Sequence, residues 1–371
     1  MRKLISALSI YGLTLFDCVA APPNSLTDNP LYSAAMAEGK VVIYSVTSRI
    51  HLIEELFERR YPGIDVSAFV LSSREQITRL RAEQRAGIRN ADVLYLNDAA
   101  AALALAREGR ALENFVPPRM RARIPGPLRQ PLLSHRLSTK VLLYNAGTYP
   151  GAAPVANLWE LTQPQWRRKV LMVDPASRSD YLDLLATFIR RSAALESAYR
   201  DHFGRAPELA AGVASVGEKF IRELFANELV LVANTERLNA AIGRRGQRRP
   251  PVGFGTYSDL RNNRTRGWAL QIANEVNPAP GIVYPVVLVL ARDAPHPAAA
   301  RLLVDFMMGD DGADGGAALA PFFEPGEYIT RVDIAAHPQS LSRTQLRAWE
   351  VDPQAVLPLR QRVFDLVLEL Q

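Results

Sequence analysis

Cysteine is almost missing from this chain. The single Cys18 among 371 residues leaves no disulfide framework and no thiolate metal site. The five histidines, His51, His135, His202, His296 and His337, are scattered, with no spacing that would hold a metal from one helix or hairpin. No Gly-x-Ser-x-Gly elbow and no phosphate loop of the nucleotide-hydrolysing type occurs, so the sequence assigns no catalytic residue, metal or cofactor. Lysine is scarce: only Lys3, Lys40, Lys140, Lys169 and Lys219 stand among 44 basic residues, the rest being arginine. The densest basic stretch, RRGQRR at 244–249, reads as a solvated loop, and with a net charge of only +6 spread along the chain no nucleic acid is expected as partner. GDDGADGG at 309–316 is acidic but lacks the alternating ligand register and closing Glu of a calcium loop. What is present is ordinary globular composition, 48% hydrophobic and 22% charged, with length for about two domains of roughly 150–200 residues.

The first residues set an expectation of compartment. Arg2 and Lys3 precede an apolar run from Leu4 to Phe16, followed by the small residues Val19, Ala20 and Ala21 and then Pro22-Pro23. A basic start, a short apolar core and a small-residue exit make a cleaved signal peptide over 1–21. The run covers only about 20 Å as a helix, short of the roughly 30 Å of a hydrocarbon layer. Asp17 fits poorly with lipid modification of Cys18. Cleavage after Ala20 or Ala21 leaves a mature chain without cysteine, suited to an oxidising, periplasmic location.

Beyond a polar leader, strand and helix signals alternate. KVVIYS (40–45), Asp65–Leu71 and ADVLYL (91–96) read as buried strands, separated by helices with apolar positions at Leu52, Ile53, Leu56, Phe57 and at Ile77, Leu80. This β-α repetition predicts an α/β fold with a parallel sheet covered on both faces. Residues 115–137 are rich in proline and arginine and show no period; TKVLLYN (139–145) is again a strand. Further strands are expected at 170–173, 228–233, 252–257 and 268–272, with helices near 178–193 and 213–227. GIVYPVVLVLA (281–291) leads to a helix over 297–308, and a terminal helix is expected over about 353–370. These signals divide the chain into one lobe of 38–145 plus 281–371 and a second of 146–280, joined by a two-segment hinge.

Ligands of such proteins sit in the crevice beyond the carboxyl ends of the parallel strands, where the lobes meet. The residues following each strand are therefore the candidate ligand-binding residues: Ser45, Thr47, Ser48 and Arg49; Ser73 and Arg74; Asn97; Ser177, Arg178, Ser179 and Tyr181; Asn234; and Tyr284. Hydroxyls, an amide and arginines beside helix N-termini favour an anion, since free backbone N–H groups and guanidinium forks both suit phosphate or carboxylate.

From EGKVVIYS through FERRYPGIDV, the Ser-Ser-x-Glu start at 72–75, RAEQRAGIRNADVLYL and NLWELTQPQWRRKVLMVDPAS to APHPAAARLLVDFMM, the stretch 38–308 resembles the extracellular solute-binding proteins of ABC importers. It is most similar to the branch of ferric-iron, phosphonate and sugar-phosphate binders. The resemblance implies a type II periplasmic-binding-protein fold and a non-enzymatic monomer. Such a protein captures a small anionic solute and delivers it to an ABC permease in the inner membrane or, in a sensing role, to the periplasmic domain of a sensor kinase. Ferric binders of this branch carry adjacent tyrosines after the strand matching ELVLVA; here that place reads Asn234-Thr235-Glu236. Glu75 matches a family acidic position, but one carboxylate with Tyr181 or Tyr284 makes a poor Fe(III) shell. The resemblance therefore points to a phosphonate, sugar phosphate or similar solute, with ferric iron the alternative.

Overall fold

A computed structural model describes residues 30–109, 111–312 and 314–371. The expected signal peptide, 1–21, lies outside the described residues. After helix α1 (Pro30–Glu38) the chain runs β1 (Lys40–Ser45), α2 (Ile50–Arg60), β2 (Asp65–Val70), α3 (Ser73–Arg85), β3 (Val93–Leu96), α4 (Ala99–Arg107) and the short β4 (Leu112–Glu113). A one-turn helix, α5 (Gly126–Arg129), precedes the long strand β5 (Leu133–Asn145). The middle of the chain holds β6 (Val170–Val173), α6 (Ser179–Arg190), α7 (Ser192–Phe203), α8 (Val216–Ala226), β7 (Val230–Val232), α9 (Thr235–Gly243), β8 (Val252–Gly255), α10 (Asn262–Arg266) and β9 (Leu270–Ile272). A second long strand, β10 (Gly281–Ala291), is followed by α11 (Pro297–Met307), β11 (Tyr328–Ile329), β12 (Trp349–Glu350), α12 (Pro353–Val356) and α13 (Arg360–Leu370).

Among the described residues all strands join one sheet, whose main path is β2-β1-β3-β10-β5-β8-β6-β7. Each end is parallel, as the β-α repetition predicts: β1 with β2 and β3, and β6 with β7 and β8. The centre differs from the all-parallel expectation, because β10 runs antiparallel to both β3 and β5, and β5 antiparallel to β8. A strand that carries the chain from one half of the molecule to the other and a strand that brings it back must point in opposite directions. This pair is the physical form of the expected two-segment hinge.

Local chemistry accounts for the elements. Ser72 and Glu75 form a reciprocal capping box at the start of α3, and Asn157 with Glu160 does the same for the turn carrying Trp159. Trp159 is fully buried and donates its indole N–H to the Leu195 carbonyl at 2.8 Å. Phe57, Phe188, Phe220 and Phe254 are likewise fully buried; sealing each such ring contributes about 2–3 kcal/mol.

Four expectations are corrected. β5 begins at Leu133, inside the stretch that showed no period, because Arg136, Ser138 and Lys140 break its apolar pattern for a reason given below. The helix expected near 178–193 is followed by a separate helix, α7. The terminal helix is broken at Leu357–Leu359, where Pro358 has no N–H to continue the α-helical ladder. Moreover α13 does not stay with the first half: Arg360 and Arg362 pair with Asp183 of α6 and Glu218 of α8.

Candidate functional site

Beyond the carboxyl ends of the strands two adjoining cavities open, of about 220 and 200 Å³. They share Val46, Asn97 and Arg178, so they form one interrupted cleft. The loops after β1, β2 and β3 supply one wall; those after β6, β7 and β8 supply the other.

Of the residues expected from sequence, Thr47, Arg49, Asn97, Arg178 and Tyr284 line the larger cavity, and Ser73, Arg74, Asn97, Ser177, Arg178 and Ser179 line the smaller. Four are not brought to either wall. Ser45 is fully buried and its hydroxyl exchanges hydrogen bonds with the backbone of Thr47, bracing the turn. Ser48 is exposed on the outside of that turn. Tyr181 is fully buried and donates its hydroxyl to the Phe254 carbonyl at 2.8 Å. Asn234 caps α9 by accepting from the Arg237 N–H, while its neighbour Thr235 faces the cavity. Glu75 is likewise consumed as a cap, accepting from the Ser72 N–H at 2.8 Å.

The floor of the cleft was not anticipated. Arg136, Ser138 and Lys140 alternate along β5 and so project to one face. On β10, Tyr284 and Val286 face the same way, opposite Ser138 and Arg136 in the antiparallel register. The intervening Val283, Pro285 and Val287 line an apolar cavity of about 500 Å³ on the reverse face. Charged residues at every second position of an otherwise apolar strand are the signal that could have located this floor. Thr256, Ser258, Asp259 and Arg261, after β8, and Glu327, from the chain beyond α11, complete the lining.

Electrostatics dominate the site. Asp180, fully buried at the start of α6, accepts an ion pair from Lys140 at 3.0 Å and another from Arg178 at 2.7 Å. Its carboxylate is also reached by the Tyr284 hydroxyl and the Asn97 amide, both at 3.4 Å. Burial alone would raise its pKa, but the two cations overcome this and hold it well below the usual carboxylate range. Burial would likewise depress Lys140, yet Asp180 keeps the ammonium firmly protonated. Arg136 is paired with Glu327 and donates through Nε to the Tyr95 hydroxyl at 2.7 Å. Glu327 in turn accepts from Ser258 at 2.9 Å. Arg261 lies 3.6 Å from Asp259.

Arg49 is the exception. Its guanidinium Nη1 is buried and has no hydrogen-bond partner, and no carboxylate approaches within ion-pair distance among the described residues. Burial and the like charge of Arg136 push its pKa down. Around the larger cavity five cations (Arg49, Arg136, Lys140, Arg178, Arg261) thus meet three carboxylates (Asp180, Asp259, Glu327), and Arg74 adds a further cation in the smaller, so positive charge is in excess. The phenols of Tyr181 and Tyr284 are both pushed up by burial, which keeps them neutral. Among the described residues no group of three His, Cys, Asp or Glu side chains could hold a metal ion. The acidic loop at 309–316 is held by arginines instead: Arg123 pairs with Asp311 at 2.7 Å, and Arg331 donates to the Met308 and Asp310 carbonyls.

A mixed sheet with a polar, cationic cleft at its parallel strand ends and two crossing strands beneath it defines a two-sided binding protein. Residues 46–314 match the family described as bacterial extracellular solute-binding protein, and the chain belongs to it. Solved structures agree on the fold. Iron-bound HitA from Pseudomonas aeruginosa superposes with a TM-score of 0.70 at 18% identity, covering 89% of this chain and 99% of its own. AfuA from Actinobacillus pleuropneumoniae, with fructose-6-phosphate bound, gives 0.65 at 19%, covering 88% and 97%. Apo ferric ion-binding protein A from Pasteurella haemolytica gives 0.65 at 16%, covering 90% and 98%. No curated protein sequence matches the chain. No helix among the described residues is long and apolar enough to cross a membrane.

Proposed function

We propose that this chain is the periplasmic component of an ABC importer and that it captures a small dianion, of the phosphonate or sugar-phosphate kind, by closing its two halves around it. The observation that carries the reading is the partnerless, buried guanidinium nitrogen of Arg49 beside a surplus of positive charge. A buried donor without a partner costs about 1–3 kcal/mol, more when charged, and a bound anion would remove that cost. A phosphate monoester carries between one and two negative charges at neutral pH, which such a surplus favours.

Both walls contribute donors: Thr47, Arg49 and Asn97 from one, Arg178, Ser179 and Thr235 from the other, with Lys140 and Arg136 beneath, while the Ser73 and Ser177 hydroxyls are spent on Asn97 and the Asp174 carbonyl. A solute touching both walls gains its full set of contacts only in the closed form, so it stabilises closure by its differential affinity. The closed form would then be recognised by the permease. The likeness to iron-bound HitA raises ferric iron as cargo, but five cations repel a trivalent ion and the two nearby phenols are held neutral.

The test is calorimetry of the purified mature protein with inorganic phosphate, alkylphosphonates, sugar phosphates, dicarboxylates and Fe(III). A phosphate-bearing ligand should bind, and Arg49→Ala should weaken it at least tenfold, about 1.4 kcal/mol. Tight Fe(III) binding, or an affinity indifferent to Arg49, would refute the proposal.

A further inference from the structure

The C-terminal segment lies beyond the family match, which ends at residue 314, and it crosses the molecule. β12 pairs in parallel with β10, Ile282 opposite Trp349. Then α12 follows, where Gln354 accepts from Arg107 of α4 at 2.8 Å. At the start of α13 a single side chain reaches both halves. Arg360 donates through Nε and Nη2 to the two oxygens of Asp183 on α6, at 2.8 and 2.7 Å, and through Nη1 to Asp98 at the start of α4. All three groups are largely buried: Arg360 has a side-chain exposure of 12%, Asp98 7% and Asp183 4%. Farther along, Arg362 pairs with Glu218, and Arg222 with Glu369, fixing α13 to α8.

The two carboxylates that Arg360 joins stand behind the binding cleft on opposite walls. Asp98 follows Asn97, which lines both cavities, and Asp183 lies one turn along α6 from Arg178, Ser179 and Asp180. A cavity of about 360 Å³ beside Arg360 is lined by Arg74 and Ser179, which also line the smaller ligand cavity. A bidentate guanidinium held on one wall, with its remaining nitrogen on the other, fixes the separation and angle of both.

We infer that Arg360 is a positioning residue for solute capture: it latches the wall carrying Asn97 to the wall carrying Arg178 and so raises the population of the closed, binding-competent form. The inference rests on the closure reading above. Affinity for a ligand falls in proportion to the fraction of competent protein, so loss of the latch weakens binding without touching the ligand.

Two variants test it. Asp98→Asn keeps the helix cap, which asparagine provides as well as aspartate, but removes the charge that Arg360 meets on that wall. Arg360→Gln removes the latch from both walls. Burial pushes the Asp183 carboxyl up to about 7 even beside Arg360, so in this variant it takes up a proton rather than remaining as a stranded charge. Small-angle scattering of the ligand-free proteins should show both variants expanded relative to wild type, with melting curves still cooperative. Calorimetry with the best phosphate-bearing ligand should show a five- to tenfold loss of affinity for each, no further loss in the double variant, and partial recovery with Arg360→Lys. Unchanged scattering in both variants, or losses that add in the double variant, would overturn the latch. Scattering without ligand tests the latch alone, whereas wild type that fails to contract with any anion would refute closure itself.

Discussion

At the scale of single residues, the position of Arg136 in the cleft depends on a chain of buried groups. His135 Nε2 faces the Met307 carbonyl at 2.9 Å and must carry the ring proton, leaving Nδ1 to accept from the Tyr95 hydroxyl at 2.8 Å. Tyr95 in turn accepts from Arg136. Burial, followed by the charge of Arg136, lowers the His135 pKa to about 3. Because the native value lies below the unfolded one, the contribution is complete above pH about 6.5 and is lost as pH falls toward 3. The unfolded chain takes up a proton there that the folded chain refuses, a difference of about 4–5 kcal/mol at the acid limit. Urea midpoints of wild type and His135→Gln, compared between pH 7 and 4, isolate the histidine. The variant should lose less stability over this range; parallel profiles would show that His135 is not held neutral. None of this relay could be read from the chain, since Tyr95, His135 and Met307 are brought together only by packing. Arg49 was a candidate from its place after a strand, but its lack of a partner is a property of the assembled cleft.

At the scale of elements, β5 and β10 decide the molecule. Their alternation puts Arg136, Ser138 and Lys140 toward the solute and leaves Leu133, Val141 and Leu143 fully buried in the core. Gly281 starts β10 at a backbone angle of φ +150°, and a Cβ there would stand 2.0 Å from the Lys140 carbonyl oxygen. Only glycine permits the two hinge strands to approach so closely beside the lysine that holds Asp180. Gly281→Ala should cost about 3 kcal/mol or more, read as a lower denaturant midpoint at unchanged slope. A loss below about 1 kcal/mol would mean the strands part easily. The strands of both ends were legible because each is a short apolar run closed by turn residues. The first half of β5 was not, because its cleft-facing polar residues imitate a loop.

At the scale of the whole molecule, contacts already cross between the walls, Asn97 with Asp180 and Asp98 with Arg360. A solute that touches both walls adds to these contacts, so on the closure reading the tightest anion from the calorimetric panel should contract the protein in solution, by an amount measurable as a fall in radius of gyration. Lys140→Met should abolish both binding and contraction, since it unbalances the Asp180 network that supports Arg178. Contraction that persists in Lys140→Met would separate closure from this network. The C-terminal strap belongs to this scale as well. The terminal helix was expected with the first lobe, and its attachment to α6 and α8 arises from ion pairs between residues more than a hundred positions apart.

By itself the sequence determined the alternation of strands and helices, a serine cap at the start of α3 and the polar character of the strand ends. These follow from local periodicity and from side chains that bond to nearby backbone. The tertiary structure alone decided the antiparallel centre of the sheet, the cationic floor from β5, the partnerless state of Arg49 and the span of Arg360. Each depends on which distant groups share a low-dielectric space, and charge balance in such a space is a property of the assembly rather than of any stretch of chain.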